Sequence, residues 1–184
     1  MGMSRCHNFG VGSLALAGVL GLSSPAGSRT VPPPVQGQTA PAGETVGGIS
    51  CDAQEGQRIH IHQHLLILDH GRPMFIPPNV GQPVAKRCIY WLHTHTSDGI
   101  IHVEAPKDRS FVLYDFFRVW GQPLGRTIAA SARAGKGESL KAWVDGQPFT
   151  GDPRTIALKP HTDVVLEVGP PFVPPPRWTI WGSL

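Results

Sequence analysis

The run RIHIHQHLLIL, from Arg58 to Leu68, sets a histidine at every second position, His60, His62 and His64, between apolar residues. Side chains two apart on a β-strand point to the same face, so this run presents a row of imidazoles on one side. The same alternation returns in CIYWLHTHTSDGIIHVE, where His93 and His95 form a second pair and His102 and Glu104 follow on a common face. Seven of the nine histidines fall between positions 60 and 102, six of them in stretches that otherwise read as buried strand. Burying that many imidazoles without partners would leave one ring nitrogen after another unsatisfied. The pattern therefore points to a metal site.

The rest of the chain agrees with extended structure. At 184 residues it is large enough for one domain with a real core. Gly 22 and Pro 19 are both high and charged residues make up only 16%, a mix that suits a loop-rich β protein. Strands are predicted over Arg58–Leu68, Met74–Ile76, Lys86–Thr94, Ile100–Glu104, Leu140–Val144, Thr155–Leu158 and Asp163–Val168. Asp98-Gly99 between two apolar runs is a hairpin signal, and Asp145-Gly146 marks a further turn. Asp115 to Trp120 reads as a short helix stopped by Gly121 and Pro123. The fold class expected is mainly β, sandwich or barrel-like, or α+β with one short helix near 115–120.

The N-terminus reads as an export signal over residues 1–28. Arg5 precedes an apolar stretch, Phe9 to Leu22, and small residues follow. That stretch is shorter than the roughly 20 residues needed to span a bilayer. No membrane insertion is expected after cleavage, and the protein is expected in the periplasm or outside the cell. Residues 29–48 are rich in proline, glycine and polar groups and read as a disordered linker. The metal-binding β domain is expected over 49–169, and the proline-rich tail 170–184, with Trp178 and Trp181, is expected to pack back on it. Cys6 would leave with the signal. Cys51 and Cys88 remain, and an even pair in an oxidising compartment is expected to form a disulfide. Metal ligation by these two thiols is the competing reading. A net charge of only +3, with no basic run, gives no ground for a nucleic-acid partner.

Neutral imidazole is a common ligand of Zn²⁺, Cu²⁺ and Fe²⁺. Geometry limits how many can share an ion. At about 3.3 Å per residue, His60 and His64 have Cα atoms roughly 13 Å apart. One ion should therefore take His60/His62 or His62/His64, with His62 common to both pairs. His93 and His95 complete it if the two long strands pair or face each other. His102 is a further ligand candidate. Glu104 is a candidate ligand, an orienting partner for a histidine, or a general base on bound water. His70 in a turn and His161 between late strands read as solvated. Only Met74 survives signal removal among the methionines, which argues against a methionine-rich Cu(I) carrier. The cofactor expected is thus a divalent transition metal, copper or zinc before iron. No GxSxG elbow, P-loop or GxGxxG fingerprint is present.

The stretch from Cys51 to Leu124 resembles an uncharacterised group of exported bacterial proteins. They share an HxHxHL strand, a CxYWLHTH strand, a GIIHVE strand and an FFxVWGQPL segment. Here these are His60 to Leu65, Cys88 to His95, Gly99 to Glu104 and Phe116 to Leu124. The resemblance implies export and a shared domain, and implies no activity. In that group an aspartate often follows LHTH directly, where this chain has Thr96 and places Asp98 two later. More loosely, paired strand histidines with a later His and Glu look like the ligand sets of cupins and carbonic anhydrases. Three functions stay open at this point: an extracytoplasmic copper or zinc protein that buffers, senses or delivers the ion; a metalloenzyme with three histidines on the ion and Glu104 handling protons; and a structural or interaction domain without metal.

Overall fold

In a computed structural model of the protein the residues described are 43–184. The expected signal, the first part of the expected linker and Cys6 lie outside them. In chain order the strands are β1 (Cys51–Asp52), β2 (Ile59–Asp69), β3 (Arg72–Pro73), β4 (Ile89–Tyr90), β5 (Leu92–His93) and β6 (Ile100–Ala105). The helix α1 (Leu113–Trp120) follows, then β7 (Leu124–Gly125), β8 (Ile128–Ala129), β9 (Ala132–Arg133), β10 (Ser139–Val144), β11 (Gln147–Phe149) and β12 (Asp163–Gly169). The protein is mainly β with one short helix, as the alternating runs lead one to expect.

One seven-stranded mixed sheet organises the molecule. Its order is β11-β10-β12-β2-β6-β5, with β3 paired on β2. β12 runs parallel to β2, and the other pairs are antiparallel. The period-2 pattern divides its residues between two faces. Ile61, Leu65 and Ile67 of β2, Ile101, Val103 and Ala105 of β6, and Val164, Leu166 and Val168 of β12 enter the hydrophobic core with Phe116, Phe117 and Trp120 of α1. The helix begins where Asp115 accepts the Val112 N–H at 3.1 Å, and it ends at Gly121 with φ 73°.

The opposite face of the sheet is covered over only part of its area. The C-terminal tail lies on the β12 side. Val173 N–H donates to Glu167 at 2.7 Å, Trp178 N–H donates to Asp163 at 3.0 Å, and Lys141 sits over the Phe172 ring. The β2–β6–β5 side of that face carries the histidines.

Three expectations need correction. Lys86–Thr94 is not one strand. The chain pairs with β1 at Ile89–Tyr90, breaks at Trp91, and then pairs with β6. The Trp91 indole N–H holds the break by donating to Asp52 at 2.6 Å. Thr155–Leu158 is no strand either. A 3₁₀ turn over Pro153–Thr155 and a single bridge from Ala157 to Val112 replace it. The return after Gly71 pairs at Arg72–Pro73 rather than over Met74–Ile76. In addition, residues 44–48, expected as linker, are tied to the domain. The Glu44 carbonyl accepts the Tyr90 hydroxyl, and Arg109 donates to the carbonyls of Gly47 and Gly48.

Candidate metal centre

Strand register builds the site. β6 lies between β2 and β5, and the pairing sets His62 opposite His102 and His102 opposite His93. Three imidazoles thus stand at one level on three adjacent strands. One step along, His60 faces Glu104. His95, just past β5, returns to the same place. Ring centroids lie 4.4 Å from His102 to His62, 5.3 Å from His102 to His93 and 4.4 Å from His102 to His95.

Four side chains, His60, His62, His102 and Glu104, bring one donor atom each to within 4.8 Å of one another. So do His93, His95, His102 and Glu104. Either group could hold a metal ion. His102 and Glu104 belong to both. His60/His62 is one of the two pairs expected from β2, with His62 in it, but neither joins His93 and His95 in one group, which corrects the expectation that the two pairs would share a single ion. The reason is the sheet order. With β6 inserted, β2 and β5 are two strand spacings apart, about 10 Å, and only the middle strand reaches both flanks.

The candidate ligands are held in place by their neighbours. His93 is fully buried, and its Nδ1 lies 2.9 Å from the Tyr90 carbonyl oxygen. A carbonyl can only accept, so Nδ1 carries the proton and Nε2 offers its lone pair toward His95. Glu104, nearly buried, places one carboxylate oxygen 3.1 Å from His60 and 3.2 Å from His102. Burial holds His93 down at about 4. Burial, then the neighbouring imidazoles, hold His102 down at about 3 and lower His62 as well. These rings are neutral at neutral pH, the form a metal ion requires. Burial, then the neighbouring Glu55 carboxyl, raises Glu104 to about 7.

Glu55 is the site residue that sequence reasoning misses. It stands in the loop between β1 and β2, with no periodicity around it, and its carboxylate lies 3.8 Å from His93 and 3.7 Å from His95. The Cys51–Cys88 disulfide, expected from cysteine parity, anchors that loop beside β4. It also removes both thiols as ligands.

His64 stands apart from the other candidates. It pairs across the parallel ladder with Asp163, its Nδ1 2.9 Å from the carboxylate, and its ring stacks on Trp178 at 4.3 Å. It belongs to neither ligand group. Asp98 accepts from the Thr96 hydroxyl and the Ile100 N–H and so shapes the hairpin turn. His70, expected as solvated, is gripped by Asp69 at 2.7 Å and Glu138 at 2.8 Å, whose hydrogen bonds raise its pKa. His161 is exposed and stacks on Trp181.

Among the described residues no helix is long and apolar enough to cross a membrane. Set beside known proteins, the chain matches no family model, no curated protein and no solved structure, so its functional reading rests on the residues themselves.

Proposed function

We propose that this chain is an exported metal-binding protein whose histidine–glutamate centre takes copper or zinc, and that it buffers, senses or delivers that ion. One observation carries the reading: five imidazoles and Glu104 converge from three adjacent strands, with the proton of His93 already committed to a carbonyl. Imidazole and carboxylate donors without thiolate or thioether suit Cu²⁺ or Zn²⁺ better than Cu(I). His60 and His95 are well exposed at the rim, which suits an ion that must enter and leave. Elemental analysis of the untagged protein tests the reading. Stoichiometric copper or zinc in the wild type, lost on His62→Ala combined with His95→Ala, is the expected result. No bound metal after incubation with either ion and dialysis would overturn it.

A metalloenzyme is the second reading. Glu104 favours it, since a buried carboxyl within hydrogen-bond reach of two imidazoles is placed to pass a proton to or from a water at the centre. An ion with three nitrogens and an exchangeable water in its X-ray absorption spectrum would support the enzyme, and four nitrogens the carrier.

A further inference from the structure

Six side chains for one ion are too many, and their placement divides them. Ligands 2.0–2.1 Å from one ion lie at most about 4.2 Å from one another. His60 and His62 gather with His102 and Glu104 on the β2 side; His93 and His95 gather with the same two residues on the β5 side. Neither outer pair joins the other's group. Between them stands Glu104, a carboxylate with two oxygens, and carboxylates bridge paired ions in two-metal sites about 3.5–4 Å apart. Charge points the same way. Among the described residues, Glu55 and Glu104 lie against histidines and make no ion pair with lysine or arginine. Two carboxyls meet here among imidazoles, with no lysine or arginine among the described residues to compensate them.

Resting on the metal-binding reading above, we propose that the centre is binuclear: Glu104 bridges two divalent ions, one held by His60 and His62, the other by His93 and His95 with Glu55 at its edge, and His102 gives its one free ring nitrogen to one of the two. The third strand is then more than a support. β6 carries the carboxylate that joins the half-sites, and its neighbours on either side carry one half-site each.

Metal counting and spectroscopy on the full, untagged chain test this. Titration with Zn²⁺ should end at two ions per chain. His60→Ala with His62→Ala should leave one, and His93→Ala with His95→Ala should also leave one. Titration with Cu²⁺ reads the bridge without any variant. The electron paramagnetic resonance signal should grow as that of an isolated ion through the first equivalent, then lose that shape and gain a half-field transition during the second. One ion per chain in the wild type, abolished by either double substitution, would overturn the proposal while leaving metal binding intact. A second equivalent of copper that merely doubles an unchanged signal would also overturn it, since the ions would then be independent. Absence of any metal in the wild type would sink the metal-binding reading and this one together.

Discussion

His93, His102 and Glu104 are folded in protonation states that differ from those of the free chain, and acid should expose the difference. In the metal-free protein His93 and His102 fall from 6.5 to about 4 and about 3. Below pH 6.5 the unfolded chain therefore takes up protons that the fold refuses, and stability falls as pH drops toward 4. Glu104 acts the other way, because its folded carboxyl at about 7 binds a proton that the free one, at 4.5, gives up. Two imidazoles, aided by His62, outweigh one carboxyl. The melting temperature of the chelator-stripped protein is thus expected to fall between pH 6.5 and 4, and His102→Gln should flatten the decline. A flat or rising profile would contradict these assignments. His64 gives a complementary test. His64→Ala removes the Asp163 hydrogen bond and the Trp178 stack, and should cost about 2 kcal/mol of stability. Metal stoichiometry should not change, and its loss would return His64 to the ligand set.

At the level of elements, the site depends on two joints. The first is the turn into β6. Gly99 has φ 84°, and a Cβ there would stand 2.4 Å from the Leu65 carbonyl oxygen. Gly99→Ala must push β6 away from β2 and should destabilise the fold by about 2 kcal/mol or more. Metal affinity should fall with it, since His102 and Glu104 ride on that strand. The second joint is the disulfide. Cys51 and Cys88 close a loop with a sequence separation of 37, worth about 4 kcal/mol through restriction of the unfolded chain. Replacing both with serine should lower the unfolding midpoint in urea and loosen Glu55, yet leave the histidines able to bind. These joints also show what the sequence made legible. Alternation alone assigns the histidines of β2, β5 and β6 to faces, and cysteine parity gives the bridge. It cannot give the insertion of β6 between the other two strands, because that order is decided by long-range pairing, and so it set His93 and His95 against His62 on a single ion. Glu55 and the His64–Trp178 stack escaped for a similar reason: irregular segments put them in place, and no period marks an irregular segment.

Across the whole molecule, one face of the sheet is committed to the core and the other is divided between tail and ligands. Asp163 and Glu167 are buried beneath the tail and take hydrogen bonds from its backbone. Removing residues 170–184 would leave these carboxylates without those donors and uncover Val165. The truncated chain should melt many degrees below the intact one in calorimetry, and an unchanged melting point would show the tail to be dispensable. The ligands, for their part, come from positions some forty residues apart and meet only when three strands have paired. An unfolded chain offers only its local histidine runs, without the partners from the other strands. Bound metal should then raise the unfolding free energy by about 2.7 kcal/mol at one hundred times its dissociation constant. On the proposed metal-binding reading, the chain would have no say in its metal until it has folded: whichever divalent ion is most available where the sheet closes would have the first claim, and the place of folding, as much as the chemistry of the donors, would decide what the protein carries.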